Sequence, residues 1–402
     1  SQALTSPSFT AMSTDTISEK TSANGVSIDS VTLKDGELGT TASPVAIHSS
    51  SLNGGQFGGR RNIIINGAMQ VAQRGTSVSS VTGGGYIALD RYQVDYSGSH
   101  AWTISQDSNT PNGFGASMKF LCTTAQAVTG SQRIAFRQKI EGYNLQGTKK
   151  GTSDALSVTA SFYVKSNKTG TYILEYYDID NQRHINKAYT VDTADTWEYK
   201  TITFEADTTG SFDDDANASA QLHFWLGAGS TYTSGTLQSS WGTATTANRA
   251  VGNVNLADTV NNYWQVTGIQ LEVGEQATPF EHTSFGEELH LCKRYYEKSF
   301  PYGTTPSNSS SASSFSTYQG IWWVDKSLNN GYKSSYRWDV EKRTTPSTTP
   351  YGNSSGYWYS PTSGWHDHND TSHKSPVGFL PRQQASGSTI EVYGHYGVDA
   401  EL

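Results

Sequence analysis

Cysteine is almost missing from this chain: Cys122 and Cys292 are the only two in 402 residues. That is too few for a disulfide framework, and their apolar neighbours predict two buried free thiols. Charge is also scarce, at 16% of residues, and leans acidic to a net −8. No basic stripe is visible, which argues against nucleic acid as a partner. No run of about 18 apolar residues occurs, so neither a spanning helix nor membrane insertion is expected. The N-terminus has no secretory leader pattern. Ser1 reads as the residue left after loss of an initiator Met, which fits assembly in a cytoplasm. Enzyme signatures are missing too: no Gly-x-Ser-x-Gly, no His-Glu-x-x-His, no P-loop. Asp178/Asp180 and Glu391/Asp399 are carboxylate pairs, but nothing places them across a cleft as glycoside hydrolysis needs. No catalytic residue is assigned, and a non-enzyme is expected.

What the chain does contain is glycine, serine, threonine and aromatic rings, with 23 Tyr against 14 Phe and aromatics at 12%. Such a composition suits an all-β protein with short strands and polar turns. Residues 1–60 are poor in large apolar side chains. Asn24-Gly25 and Asp35-Gly36 bracket an alternation of Val26, Ile28, Val31 and Leu33. This predicts an extended, fibrous segment that gains burial only against neighbouring chains, followed by a linker. Residues 61–283 predict a jelly-roll β-sandwich, with strands at 62–65, 86–96, 116–122, 133–140, 155–165, 171–178, 198–205, 219–227 and 262–273. The cleanest alternation puts Leu156, Val158, Ala160, Phe162 and Val164 on one face. Residues 284–300 hold one short linking helix, and 301–402 predict an aromatic-rich β tip domain.

The stretch 266–298 is the most specific. Trp264 and Val266 alternate on one phase, and Ile269, Leu271 and Val273 on the other. The change of phase at Thr267-Gly268 predicts a β-bulge. Ser284 and Glu287 have capping-box spacing, and Phe285, Leu289, Cys292 and Tyr296 are expected on one helical face.

This stretch, with its Gln-Leu-Glu-x-Gly-x-x-Ala-Thr-Pro-Phe-Glu run and Cys-x-Arg-Tyr-Tyr ending, resembles the junction segment of bacteriophage tail-fibre and receptor-binding proteins. Asn66, Gly67, Met69, Gln73, Arg74 and Gly75, followed by Asp90, Arg91 and Tyr92, resemble the opening of the β domain in the same family. The N-terminal run before residue 40 resembles fibre shafts. Trp338–Pro346 and Gly397–Leu402 resemble fibre tips, with Lys342 in place of the usual Met. The resemblance implies a virion protein acting as a homotrimer. Its N-terminus would attach to a virion tail or capsid protein, and it would adhere to host surface polysaccharide or lipopolysaccharide. A capsid head fibre or decoration protein, and a tailspike-type polysaccharide depolymerase, are the alternatives.

Candidate glycan contacts are aromatics set among polar residues: Tyr357, Trp358, Tyr359 and Trp365 in the loop-like tract 351–370, and Trp102 and Trp241 in the sandwich. Ring faces pack on sugar C–H groups while hydroxyls seek polar side chains. His366 and His368 share one side of an extended strand. The resemblance implies that three such pairs in a trimer could hold an axial Fe or Zn ion, as in some fibre tips. Asp213 and Asp215, with Asp207 and Asn217, form an oxygen-rich turn that suits Ca²⁺.

Overall fold

The computed structural model describes in full residues 59–309, 336–355, 357–358, 374–379 and 394–402. For 26–28, 31–34, 37–40, 43–44, 321–324, 359–360, 364–366 and 390–393 it describes the backbone alone. The chain divides into two compact units, Ser1–Leu52 and Asn53–Leu402. In the first, strands Val26–Ile28, Val31–Lys34, Glu37–Thr40 and Ser43–Pro44 form an antiparallel meander, with Val31 opposite Ile28 and Leu33 opposite Val26.

The second unit is built on a two-sheet antiparallel sandwich, as the sequence predicts. One sheet has seven strands in the order Gly242–Thr243, Arg183–Val191, Gly170–Asp178, Ala218–Ala228, Arg133–Glu141, Gln93–Ser97, Gly85–Tyr86. The other has six, in the order Glu198–Phe204, Val158–Ser166, Tyr263–Val273, Ser117–Thr124, Ala101–Asp107, Ser77–Val81. Alternation drives one face of each sheet inward. Phe136 and Phe224 stack at 4.7 Å, and the Trp264 ring packs 5.2 Å from Phe136. Cys122 and Cys292 are both buried and free.

The bulge lies where the phase change predicts it. Gly268 has φ +63°, and the ladder against Val158–Ser166 shifts between Ser161 and Tyr163. A Cβ at Gly268 would sit 2.7 Å from Phe114 Cζ, so both backbone and space demand glycine there. Leu156 departs from expectation: it precedes the strand and is exposed. Residues 62–65 are irregular rather than a strand, held by Ile63 N–H to Leu271 O at 2.8 Å and Ile65 N–H to Gln138 Oε1 at 2.8 Å. Four strands of the sandwich lie outside the predicted ranges: Ser77–Val81, Ala101–Asp107, Arg183–Val191 and the two-residue Gly242–Thr243. The first is serine-rich and the third carries Arg, His, Asn and Lys. Their hydrophobic alternation is therefore weak.

The helix spans Phe285–Lys293 and starts with the expected capping box between Ser284 and Glu287. Only Leu289 and Cys292 of its predicted apolar face pack inward, with Ile65 and Val71. Phe285 is exposed against the Tyr302 ring, and Tyr296 begins a strand. That strand, Tyr296–Lys298, joins His395–Asp399 and Ser347–Tyr351 in a three-stranded sheet. Beneath it Trp338, Trp358, Phe379, Tyr396 and Val398 form a small separate core.

Segments far apart in sequence meet at this junction. Asn66, with φ +61°, donates from Nδ2 to Val71 O and Asp90 O, and its backbone N–H donates to Glu288. A Cβ at Gly67 would lie 2.1 Å from Ile269 O, so no other residue fits. Gln73 donates to the buried Asp90 carboxylate and to Tyr296 O. Arg91 pairs with Glu401 while its guanidinium lies 3.4 Å over the Tyr295 ring.

Candidate functional site

The outer face of the seven-stranded sheet gathers charge in an otherwise charge-poor chain. Register fixes which side chains share it. Gln93, Arg137, His223, Glu175 and Asn186 form one row across the strands. Lys139, Gln221, Tyr177 and His184 form the next. One end of the face is covered by the segment after Gly229. There Tyr232 and Ala250 bury Trp225, Ile173 and Ala135.

Glu175 anchors that segment. It is fully buried and accepts both Arg249 N–H groups at 2.7 Å, Trp225 Nε1–H at 3.2 Å and the His184 ring at 3.0 Å. Burial alone would raise its pKa, but Arg249 and His184 outweigh it and hold the carboxyl well below the ordinary carboxylate range. Asp95 behaves alike. Burial opposes ionisation, yet His223, Arg137 and Arg133 lower its pKa, with Arg133 Nε 2.8 Å away. His223 is stacked on Trp225 at 4.6 Å, and burial pushes it down to about 3, so it is neutral near pH 7.

The carboxylates therefore lie deep and the cations at the surface. Arg133, Arg137, Lys139 and Arg249 outnumber Asp95 and Glu175. Arg137 donates through Nε to Gln93 at 2.8 Å, while Nη1 stays 3.6 Å from Asp95 and its side chain is 21% exposed. Burial lowers the Arg137 pKa, and its neighbours Arg249 and Arg133 add to the effect. Tyr177 lies beside Arg249, 5.1 Å from ring to guanidinium. The arrangement offers an anion a face lined by cations, on which the Arg137 guanidinium is partly exposed. The sequence held no hint of it, because these residues come from five strands and one connection.

The predicted glycan contacts are scattered. Trp102 is fully buried and donates Nε1–H to His100 Nδ1 at 2.6 Å. It is a core ring with no face for a sugar, contrary to expectation. Trp241 plugs an edge of the sandwich, against Tyr176 and under Lys150, and its Nε1–H donates to Glu205 O. Trp358 is also inward, 2% exposed in the tip core. Tyr357 is half-buried. The tract 351–370 is not loop alone: strands Trp358–Ser360 and Gly364–His366 pair, with Tyr359 opposite Trp365. The side chains of Tyr359, Trp365 and His366, and all of His368, lie outside the described residues.

The proposed calcium turn does not assemble. Asp207 is held by Arg183 at 2.8 Å and Lys150 at 3.1 Å, and Asp215 accepts from Asn217. Asp213 is exposed, with its backbone N–H on Asp180. Among the described residues, no group of three or more His, Cys, Asp or Glu is placed to hold a metal.

No protein-family pattern and no curated sequence matches this chain. Similar folds occur among solved structures. A tailspike protein 4 domain of bacteriophage CBA120 has 12% identity and a TM-score of 0.29, over 53% of this chain and 21% of its own. A family 11 carbohydrate-binding module from Clostridium thermocellum, solved with a β-1,3-1,4-mixed-linked tetrasaccharide, has 12% identity and a TM-score of 0.27, over 51% and 99%. A sugar-binding protein from Bacteroides thetaiotaomicron, so described provisionally, has 12% identity and a TM-score of 0.31, over 53% and 100%. The chain thus spans about a fifth of the tailspike it matches. At these identities the likeness is one of sandwich fold only.

Proposed function

We propose that this chain is a non-catalytic, glycan-binding subunit of a phage fibre, acting as a homotrimer in the virion. Its N-terminal segment attaches to a tail or capsid protein. The sandwich holds host surface polysaccharide or lipopolysaccharide on the cationic face around Arg137, where a carboxylate or phosphate of the glycan meets the guanidinium. One observation carries the reading. The stretches that resemble fibre proteins, around Asn66–Tyr92, Ser284–Tyr296 and Asp399–Leu402, converge through Asn66–Glu288, Gln73–Tyr296 and Arg91–Glu401. Separate resemblances that fold into one network behave as parts of one design. Weak sites on three chains then add by effective concentration.

Binding to immobilised lipopolysaccharides and acidic capsular polysaccharides tests this, with sedimentation for mass. The expected result is a particle of about three chain masses that binds at least one acidic glycan, loses ~10-fold or more affinity in Arg137→Ala, and releases no reducing ends. A monomer that binds none of them overturns the proposal.

A further inference from the structure

A second site lies at the junction, remote in character from the cationic face. In the three-stranded sheet, Tyr296, Gly397, Asp399, Thr349 and Tyr351 share one face, because Tyr296 pairs with Asp399, Thr349 with Gly397 and Tyr351 with His395. Val398 and Tyr396 point the other way, into the tip core. Over the first face is a cleft of about 310 Å³, lined in addition by Arg74 and Pro306. That volume is at the small end of ligand pockets.

Gly397 makes the cleft. A Cβ there would lie 3.2 Å from the Tyr296 hydroxyl and 3.4 Å from Tyr351 Cε2. Its φ is not in the left-handed region, so the backbone would accept a side chain, but any Cβ would crowd the Tyr296 hydroxyl and begin to fill the floor between the two rings. The two tyrosine rings thus flank an empty floor, and neither hydroxyl makes a hydrogen bond among the described residues. The Asp399 side chain, 42% exposed, adds an acceptor, and Thr349 a hydroxyl.

Charge selects the ligand. Among the described residues Arg74 is the one cation in the lining, and it is already surrounded by Asp399 at 3.0 Å, Glu401 at 3.4 Å and Asp90 at 3.8 Å. Its guanidinium face lies 3.8 Å over the Tyr296 ring. An anion would meet three carboxylates there. A neutral polyol with an apolar face would meet the Tyr351 ring, the Asp399 acceptor and the hydroxyls of Tyr296, Tyr351 and Thr349.

We infer that the cleft over Gly397 is a binding site for an uncharged pyranose unit, stacked against Tyr351 and hydrogen-bonded to Asp399. The inference rests on the reading of the chain as a glycan binder and adds a second subsite of different specificity. The probes are the methyl pyranosides of glucose, galactose, mannose and N-acetylglucosamine, with glucuronate as the charged control, read by saturation-transfer NMR and titration calorimetry on the full chain. At least one neutral pyranoside is expected to bind wild type in preference to glucuronate. Affinity should fall ~10-fold or more in Gly397→Leu and in Tyr351→Ala, and stay unchanged in Arg137→Ala. Near-UV circular dichroism checks that each variant is folded, and Tyr351→Phe, which keeps the ring, should retain most of the binding if Gly397→Leu does not fold. Failure of all neutral probes, preference for glucuronate, binding that survives the cleft variants, or loss in Arg137→Ala overturns the inference. The fibre proposal is judged separately, by polymer binding and mass.

Discussion

Lys342 Nζ lies 2.6 Å from Glu297 Oε2, and both side chains are shut away from water. Lys342 also donates to Val340 O at 2.9 Å and to Lys293 O, and Glu297 accepts Asp339 N–H at 3.1 Å. The residue that departs from the resembled fibre-tip pattern is therefore the centre of a buried ion pair. Replacing Lys342 by Met, as the pattern has it, strands a buried carboxylate. The expected cost is about 3–5 kcal/mol of stability. Adding Glu297→Leu should recover most of it. Denaturant unfolding of the two single variants and the double one decides: an additive double variant rules the coupling out.

Trp358 is a packing residue. Its ring lies in the tip core, and a Cβ on Gly394 would come within 2.1 Å of Trp358 Cδ1. Trp358→Ala should cost about 3–5 kcal/mol through the cavity it leaves. Gly394→Ala should destabilise the tip as well, by overpacking. Thermal melts read both, and a Trp358→Ala tip as stable as wild type would return this ring to the binding surface.

Two buried carboxylates give opposite pH dependence. Burial raises Asp90 to about 6, against the pull of Arg74 and Gln73. A folded pKa above the unfolded value adds stability that is full below the unfolded pKa, near 4, and is lost as pH rises through about 6. Glu175 is depressed, so its contribution is present above its unfolded pKa and is lost as pH falls below it. Asp90→Asn should therefore flatten stability between pH 4 and 6 relative to wild type, by at most about 3 kcal/mol. Glu175→Gln should change the slope below pH ~4 instead. Melts across pH 3–8 for the three proteins test the assignment; identical slopes would discard it.

Arg249 ties the 230–253 segment to the sheet through Glu175. Arg249→Ala leaves that carboxylate with only the Trp225 and His184 donors. A loss of about 3–5 kcal/mol is expected. Hydrogen exchange should quicken first around Tyr232 and Ala250. Unchanged protection there would mean that apolar burial alone holds the segment.

The sequence by itself determined the all-β class, most sandwich strands, the bulge at Gly268 and the capping box at Ser284. Each is a local pattern: period-two alternation, a phase change, an i, i+3 pair. It also marked Asn66, Asp90 and Arg91, through resemblance and without a stated role. Tertiary structure alone decided which aromatics are surface. Trp102 and Trp358 stand among polar neighbours in sequence, yet packing takes both inward. The cationic face and the Gly397 cleft were illegible for one reason. Their residues lie on strands that meet only when register is set, and register depends on burial across the whole sheet and not on any local run.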